Sequence, residues 1–459
     1  MARSLQMLVA LGVSAGLAST GVAQTSDPVR IRAAVDSMVG AALTGGRAAG
    51  MSVGVVRGTD TLVLKAYGSA DLELDVPTPE RAIYEIGSVT KQFTSASILL
   101  LVERGKLSLD DALTKYLPDY PTQGNTVTIR RLLDHTSGIA GYTEMRAFGP
   151  LIPLRLPRDT LVKLFSREPF KFKPGEALAY NNSAYFLLGL VIEKVTGGTY
   201  GDFVKTNLFD KAGMVDSRYC SERDITKRRA HGYEFGQGGL AVKSPLSHAW
   251  PYAAGSLCST AWDLMAWSRA LHGGKILTPA SYRLQTTPTK LNDGTPVRYA
   301  MGLINDSIGG RHAIYHGGGI NGFLTAMAYF PDDQLTIAVL VNSTGPVSPD
   351  AVLNSIADVI HGRPATPAPV ALEHPASDYV GTYRGAGRGD SLNVAVITDS
   401  TGVRFRLGNA PQPGPAARYV GGDTFMMGRN RFTFVREGGK VSAIRADLIS
   451  VVTKLVRTP

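Results

Sequence analysis

Residues 88–103 read SVTKQFTSASILLLVE, and the rest of the chain is best interpreted outward from this stretch. Four apolar residues recur at helical spacing: Val89, Phe93, Ala96 and Leu100. Gly105 follows the last apolar turn and is a typical helix end. The spacing predicts a helix from about Ser88 to Glu103, and the unbroken apolar run 98–102 indicates that this helix is buried on all sides.

Ser88 and Lys91 lie at positions i and i+3 of this helix, so the hydroxyl and the amine share one face. Serine is a poor nucleophile until a base removes its proton, and a desolvated lysine can be that base. The helix N-terminus adds N–H groups near developing negative charge. A serine–lysine pair at this spacing also arises by chance, and the alternative is a helix-capping serine beside a surface lysine.

Two further motifs carry groups that suit the same chemistry. Tyr180-Asn181-Asn182 precedes a second predicted helix over 182–195, and His316-Gly317-Gly318 lies between two predicted strands. A phenol beside an ammonium group should have a lowered pKa and exchange protons with the serine. The Asn182 amide can hold the lysine or a substrate carbonyl, and the glycines admit a substrate backbone at a strand edge. The alternatives are a structural tyrosine, a capping asparagine and a glycine-rich turn.

The strand pattern predicts an α+β fold in which an antiparallel sheet is flanked by helices. Residues 51–56 and 61–67 form one predicted hairpin, and residues 323–330 and 335–341 form another. Strands at both ends with helices between them indicate one domain, over residues 28–361, whose sheet joins distant parts of the chain.

A proline-rich linker over 362–375 is predicted to separate this domain from a small C-terminal β domain over 376–459. The C-terminal domain is predicted from short alternating strands: 391–397, 403–407, 431–436 and 441–446.

Composition excludes several classes of protein. The 459 residues are 44% hydrophobic and 19% charged, which excludes a disordered chain. The net charge of +10 is scattered over the chain, so we expect no nucleic-acid partner and only a general attraction to anionic surfaces. Two cysteines, Cys220 and Cys258, form either one disulfide or two buried thiols. The histidines outside the motifs lack metal-site spacing, so no metal or cofactor is expected.

Residues 1–23 are predicted to be a secretory signal peptide. Arg3 precedes an apolar stretch over 8–18, and Gly21 and Ala23 suit cleavage before Gln24. The alternative is an N-terminal membrane anchor, but the apolar run is shorter than the ~20 residues that a spanning helix needs. The chain is therefore expected to be exported, periplasmic or secreted, without a stable membrane span after processing.

The three motifs together resemble those of the serine β-lactamase and penicillin-binding superfamily, in its class C-like branch of DD-carboxypeptidases, D-aminopeptidases and esterases. Flanking segments resemble the same branch: 129–138, 172–175, 180–189, 254–256 and 263–264. The resemblance covers about residues 30–360. The predicted C-terminal β domain resembles the lipocalin-like appendages of some D-aminopeptidase relatives. It would serve either as a lid or substrate-selecting domain, or as a stabilising or cell-wall-docking module.

The resemblance implies a role for each motif residue. Ser88 would be the acylated nucleophile, Lys91 its activator and Tyr180 the proton shuttle. Asn182 would position the substrate amide, and His316 with Gly318 would line the strand edge. The N–H groups of Ser88 and Gly319 would form the oxyanion hole.

Two positions depart from the family pattern, and the second of them affects the expected substrate. Asn181 stands where the family usually has serine, and its side chain is expected to point away from the pocket. His316 replaces a lysine, and a neutral imidazole binds a carboxylate less firmly than an ammonium group does. His135 is expected to be a packed or hydrogen-bonding residue.

The expected function is an exported serine hydrolase that acts through an acyl-enzyme on amide or ester bonds of a small molecule or peptide. D-amino-acid peptides, peptidoglycan among them, or small esters are the expected substrates. The alternatives are a β-lactamase proper and a non-catalytic penicillin- or peptidoglycan-binding sensor.

Overall fold

The computed structural model describes residues 27–365 and 367–458, so the predicted signal peptide lies outside the described residues. The helices occupy the following positions: Pro28–Leu43 (α1), Thr90–Glu103 (α2), Ile129–Leu133 (α3), Phe148–Leu151 (α4), Arg158–Ser166 (α5), Asn182–Thr196 (α6), Tyr200–Val204 (α7), Asp210–Ala212 (α8), Tyr252–Gly255 (α9), Ala261–His272 (α10), Pro279–Thr286 (α11) and Pro349–His361 (α12). Within the described ranges, no helix is long and apolar enough to cross a bilayer.

The strands that precede residue 362 are Gly50–Arg57 (β1), Asp60–Asp71 (β2), Val76–Pro77 (β3), Tyr84–Glu85 (β4), Leu178–Ala179 (β5), Arg218–Tyr219 (β6), Tyr233–Gly236 (β7), Gly239–Val242 (β8), Leu257–Ser259 (β9), Ile304–Ile308 (β10), Arg311–Ile320 (β11), Phe323–Phe330 (β12), Leu335–Val341 (β13) and Ser343–Thr344 (β14). The strands that follow are Gly381–Gly385 (β15), Leu392–Asp399 (β16), Gly402–Leu407 (β17), Arg418–Gly421 (β18), Thr424–Met427 (β19), Asn430–Glu437 (β20), Lys440–Asp447 (β21) and Val451–Arg457 (β22).

A seven-stranded antiparallel sheet in the order β10-β11-β12-β13-β1-β2-β3 forms the centre of the N-terminal part. Both predicted hairpins are present, as β1–β2 and β12–β13. β13 returns to pair with β1, so the first and last long strands of this part are neighbours. The predicted α+β fold is confirmed.

The side chains of β13 point alternately into two cores, one on each face of the central sheet. Leu335, Ile337 and Val339 belong to the core that includes α1 and α12, whereas Ala338 and Leu340 belong to the core that includes α2, α6 and α10. Side chains alternate between faces along a strand, so an apolar run buried on both faces separates two helical layers. Each fully buried aliphatic side chain contributes roughly 1.5–3 kcal/mol to folding.

α2 runs through the second of these layers. A 3₁₀ turn over Gly87–Val89 leads into it, and every residue from Thr90 to Leu101 is buried. Phe93 stacks on Trp267 of α10, with the ring centroids 4.1 Å apart. The predicted all-round burial of this helix is confirmed, and it explains how a lysine in the first turn can be removed from water.

β15 to β22 form a separate antiparallel sheet in the order β17-β16-β15-β22-β21-β20-β19-β18. The sheet curls into a half-barrel around its own aromatic core, in which Phe405 stacks on Phe432 at 4.0 Å. The predicted C-terminal β structure is confirmed. The proposed domain boundaries and the likeness to lipocalins stay predictions.

The two sheets are joined by backbone and by charge. β22 pairs with β5, so the C-terminal sheet gains its extra strand from the N-terminal part. Arg298 is buried and forms ion pairs with Asp306 of β10 at 2.8 Å and with Asp447 of β21 at 2.7 Å. These ion pairs link β10 to β21. Because an unpaired buried charge is costly, this network holds the two parts in one arrangement.

Candidate active site

The loop that carries Ser88 is anchored to β9. β4 pairs with β9, and the N–H of Ile86 donates to the carbonyl of Leu257. Cys258 on β9 forms a disulfide with Cys220, which decides between the two alternatives that the sequence left open. Ser88 then lies in the 3₁₀ turn at the start of α2, at the edge of a cavity.

Lys91 is fully buried beneath Ser88. Its Nζ lies 3.0 Å from Ser88 Oγ, 2.8 Å from Asn182 Oδ1 and 2.7 Å from the carbonyl oxygen of Ala254. Burial, aided by the charge of Arg388, holds the pKa of Lys91 well below its usual value. A neutral amine has two N–H donors and one lone pair. The donors match the asparagine and the carbonyl, which leaves the lone pair for the serine hydroxyl.

Asn182 is the first residue of α6, and Asn181 caps that helix. Asn181 accepts a hydrogen bond from the N–H of Ala184 at 2.9 Å and donates one to the carbonyl of Ile139 at 2.6 Å. The expectation that the Asn181 side chain points away from the pocket is confirmed. Asn182 donates from Nδ2 to Thr143 Oγ1 at 3.3 Å, so its amide is oriented at both ends.

Tyr180 lies directly beside the serine–lysine pair. Lys91 Nζ is 4.7 Å from the centre of its ring. The hydroxyl oxygen is buried and makes no hydrogen bond within the described residues. Burial raises the pKa of Tyr180, although the Ser88 hydroxyl and Arg388 oppose the increase. The sequence predicted a lowered phenol pKa. That prediction is wrong because desolvation outweighs the nearby positive charge.

His135 supports the Tyr180 motif from behind. Its ring packs on those of Tyr180, Tyr185 and Tyr299, and its Nδ1 accepts the N–H of Asn181 at 3.1 Å. Its backbone is left-handed, with φ of 61°. Burial holds the pKa of His135 well below its usual value, so the ring is neutral. The expected packing and hydrogen-bonding role is confirmed.

His316 is buried with both ring nitrogens occupied. Nδ1–H donates to the carbonyl of Gly317 at 2.5 Å, and the Tyr299 hydroxyl donates to Nε2 at 3.0 Å. Burial and the nearby Lys91 lower the pKa of His316 to about 3. The expectation that this side chain binds substrate is not supported, because the ring has neither charge nor a free nitrogen to offer.

β11 approaches the Ser88 loop closely through its glycines. A Cβ at Gly318 would collide with the carbonyl of Ile86, and a Cβ at Gly87 would lie 2.8 Å from the nitrogen of Gly319. The close approach is therefore between two protein backbones, whereas the glycines were predicted to admit a substrate backbone. It brings Gly319 next to the Ser88 loop, and both residues line the same cavity.

The cavity in front of Ser88 has a volume of about 140 Å³. Asn182 and Gly319 line it together with seven apolar or aromatic side chains: Tyr142, Phe148, Ile152, Leu246, Pro251, Ala254 and Ile320. The volume is small for a ligand site, since drug-sized ligands occupy roughly 300–1,000 Å³. The lining suits a compact apolar group beside a reactive carbonyl.

This geometry agrees with the comparison to known families, in which a model of the beta-lactamase family matches residues 35–360. The chain belongs to the beta-lactamase family. Penicillin-binding protein 4* of Bacillus subtilis (strain 168) is 30% identical over 352 residues, which are 71% of this chain and 77% of that protein.

Solved structures extend the likeness. The octameric penicillin-binding protein homologue from Pyrococcus abyssi is 26% identical with a TM-score of 0.64, covering 93% of this chain and 100% of that one. A D-stereospecific amidohydrolase from Streptomyces sp. is 26% identical with a TM-score of 0.61, covering 72% and 98%. This beta-lactamase family member is a serine hydrolase, as the resemblance implied.

Two residues near the site of this beta-lactamase family member, Glu144 and Arg388, were not indicated by the sequence motifs. Arg388, in the loop between β15 and β16, donates to Glu144 Oε1 at 2.6 Å and lies 5.1 Å from the centre of the Tyr180 ring. Both stand outside the matched motifs, and one lies beyond the family match. Only the packing of the C-terminal sheet brings them together.

Potential metal ligands are found away from the cavity. In the part of the chain that the structure describes, the side chains close enough to share an ion are Asp71, Glu73 and His231. Glu73 and His231 are exposed, and His231 Nδ1 lies 3.3 Å from Asp71 Oδ2. The family resemblance assigns this cluster no role in the chemistry at Ser88.

Proposed function

We propose that this protein is an exported hydrolase that forms an acyl-enzyme at Ser88 and cleaves small amides or esters, with D-amino-acid derivatives among its substrates. The observation that carries the proposal is the buried Lys91, whose Nζ lies 3.0 Å from Ser88 Oγ. A lysine whose pKa is lowered by burial is deprotonated more readily, and its neutral form has a lone pair to accept the serine proton.

The proposed first step transfers the Ser88 proton to Lys91 as Oγ bonds to the substrate carbonyl carbon. The N–H groups of Ser88 and Gly319 stabilise the oxyanion. When the tetrahedral intermediate collapses, the bond to the leaving group breaks and Tyr180 donates a proton to that group. The Lys91 ammonium then reprotonates the phenolate. Water repeats the sequence on the ester and releases the acid.

The raised pKa of Tyr180 supports this division of roles. A phenol that keeps its proton at rest is a donor for a leaving group, whereas a phenolate would compete with Lys91 as the base. Asn182 holds Lys91 at one end and Thr143 at the other, which leaves its amide fixed beside the substrate carbonyl. In the proposed sequence Lys91 therefore takes the proton from Ser88, and Tyr180 delivers a proton to the leaving group.

The proposed substrate class rests on the cavity and on His316. A cavity of about 140 Å³ with an apolar lining favours a small acyl group. The neutral, fully hydrogen-bonded His316 cannot pair with a substrate carboxylate. The likeness to a D-stereospecific amidohydrolase supports D-amino-acid amides. The basic net charge supports a natural source in anionic peptidoglycan.

A matched pair of substrates tests this class. D-Ala-D-Ala and its C-terminal amide differ in one carboxylate, and we expect kcat/KM to be higher for the amide. Short p-nitrophenyl esters should be turned over. The kcat/KM for benzylpenicillin, which carries a carboxylate, should be about 10- to 100-fold lower than for these neutral substrates. This factor is the equivalent of one charge-assisted hydrogen bond. Benzylpenicillin hydrolysis near the diffusional ceiling would contradict the proposal and identify a β-lactamase proper. A stable adduct without turnover would identify a sensor.

Export is tested by the N-terminus of the processed protein. The Cys220–Cys258 disulfide supports an oxidising compartment. We expect the full chain, expressed in a bacterium, to be recovered outside the cytoplasm with Gln24 as its first residue by N-terminal sequencing. Recovery with the membranes and with residues 1–23 retained would show an anchor instead.

A further inference from the structure

The C-terminal sheet contacts Tyr180 at two separate points. The N–H of Tyr180 donates to the carbonyl of Ser450 at 2.8 Å, directly after the two-residue pairing of β5 with β22. Arg388, from another loop of the same sheet, lies over the Tyr180 ring at 5.1 Å. One contact fixes the backbone of this residue and the other faces its side chain.

We propose that the C-terminal sheet completes the active site by positioning Tyr180, with Arg388 as the positioning residue at its ring. This inference rests on the proposed function and deepens it. The sheet is then neither a passive stabiliser nor a removable lid, because it holds a segment of the catalytic loop and places a cation beside the proton-transfer groups.

The backbone contact restricts where Tyr180 can lie. Residues 178–180 are paired with 450–452, and Leu178 and Val452 share a small core with Tyr299. Fixing the backbone of a residue costs conformational entropy, and here the folded sheet has already fixed it before substrate binds. The tyrosine is thereby held ready for proton transfer.

The side-chain contact continues into the site as a chain of hydrogen bonds. Arg388 donates to Glu144, whose other oxygen accepts from Thr143 Oγ1 at 2.9 Å. Thr143 Oγ1 accepts from Asn182, which in turn accepts from Lys91. An arginine of the C-terminal sheet is thus connected, through four hydrogen bonds, to the lysine beneath Ser88.

The charges around the pair set the direction of the effect. The titratable groups that face Lys91 and Tyr180 from the surrounding elements are His135, Tyr142, Glu144, Tyr185, Tyr299, His316 and Arg388. The histidines are neutral because burial lowers their pKa, and the tyrosines because burial raises theirs. Arg388 favours the neutral form of Lys91, and Glu144 favours the charged form.

Paired substitutions test the inference through opposite shifts. In Arg388→Gln the pKa of Lys91 should rise, so the acidic limb of the kcat/KM profile moves to higher pH, by on the order of one unit. In Glu144→Gln the acidic limb should move to lower pH. In the double variant it should return towards its wild-type position. Arg388→Gln should also lower kcat about 10- to 100-fold with KM for a neutral ester unchanged, and Arg388→Lys should recover part of the loss.

Arg404→Gln is the matched control, since Arg404 is a half-buried arginine of β17 that pairs within its own hairpin, away from Tyr180. It should retain wild-type kinetics, and the melting temperatures of all variants show whether they fold. Unchanged kcat and pH profile in Arg388→Gln would overturn the inference, as would shifts of the same sign in both single variants or a change in KM alone. These outcomes leave the proposed function standing if the wild type is still acylated at Ser88. Loss of that acylation would refute the proposed function itself.

Discussion

Ser88→Ala is expected to remove all measurable turnover of short p-nitrophenyl esters. Ser88 Oγ is the hydroxyl that the buried Lys91 can activate, and no bond to the substrate carbon can form without it. Loss of a nucleophilic serine costs about 10⁶-fold in kcat in a well-studied serine protease, and we expect a loss of at least ~10⁴-fold here. Steady-state kinetics and the intact mass after incubation with a penicillin or a phosphonate measure the effect.

Ser97→Ala is the matched control for this variant. Ser97 is a buried serine of the same helix, and its hydroxyl donates to the carbonyl of Phe93 at 2.9 Å. It should keep wild-type turnover and the mass increase of one acyl group, and peptide mapping should place that group on Ser88. Labelling of Ser88→Ala at the wild-type rate would rule out Ser88 as the nucleophile.

Much of the fold could be predicted because its signals are local. The stripe of α2, the hairpins of the central sheet and the alternating C-terminal strands depend on periodicity, and each is present. Ser88, Lys91 and Asn182 lie together because their motifs begin helices that pack against each other. In each case the local sequence determines the secondary structure, and the secondary structure determines where the side chain lies.

The parts that sequence analysis missed depend on where side chains point and on long-range packing. His316 turns its ring towards Tyr299 instead of the cavity, which spacing along one strand cannot indicate. The pKa of Tyr180 was predicted with the wrong sign, since neighbouring charge can be deduced from motifs but burial cannot. Arg388 and Glu144 are brought together by the docking of two sheets.

The same distinction limits what motif matches can say of catalysis. In the proposed mechanism the motifs supply Ser88, Lys91 and Tyr180, but the pKa of Lys91 also responds to Arg388, which belongs to the C-terminal sheet. A relative with identical motifs and a different C-terminal part would therefore have a different pH optimum. Substrate class and pH dependence follow from the surroundings of the motifs as much as from the motifs.

Lys91→Met is expected to lower kcat/KM for ester substrates by ~10²–10⁴-fold, the usual contribution of a general base. Methionine fills a similar volume without a lone pair, so the Ser88 proton has no acceptor at Nζ. The exposed Lys194 of α6 provides the control, and Lys194→Met should leave kcat/KM unchanged. A Lys91→Met variant that stays folded and active would remove this residue from the mechanism.

The stability of the same variant reports whether Lys91 is neutral in the folded protein. Because burial lowers the pKa of folded Lys91, the folded protein releases this proton at a lower pH than the unfolded chain, which keeps it up to the ordinary lysine pKa of ~10.4. The unfolded state therefore binds more protons, and the wild type should gain about 1.4 kcal/mol of stability relative to Lys91→Met for each unit by which the pH rises between the two pKa values. Denaturant titrations of both proteins between pH 7 and pH 9 measure this slope. A difference in stability that stays constant with pH would mean that folded Lys91 is an ammonium ion, and another group would then have to accept the proton of Ser88.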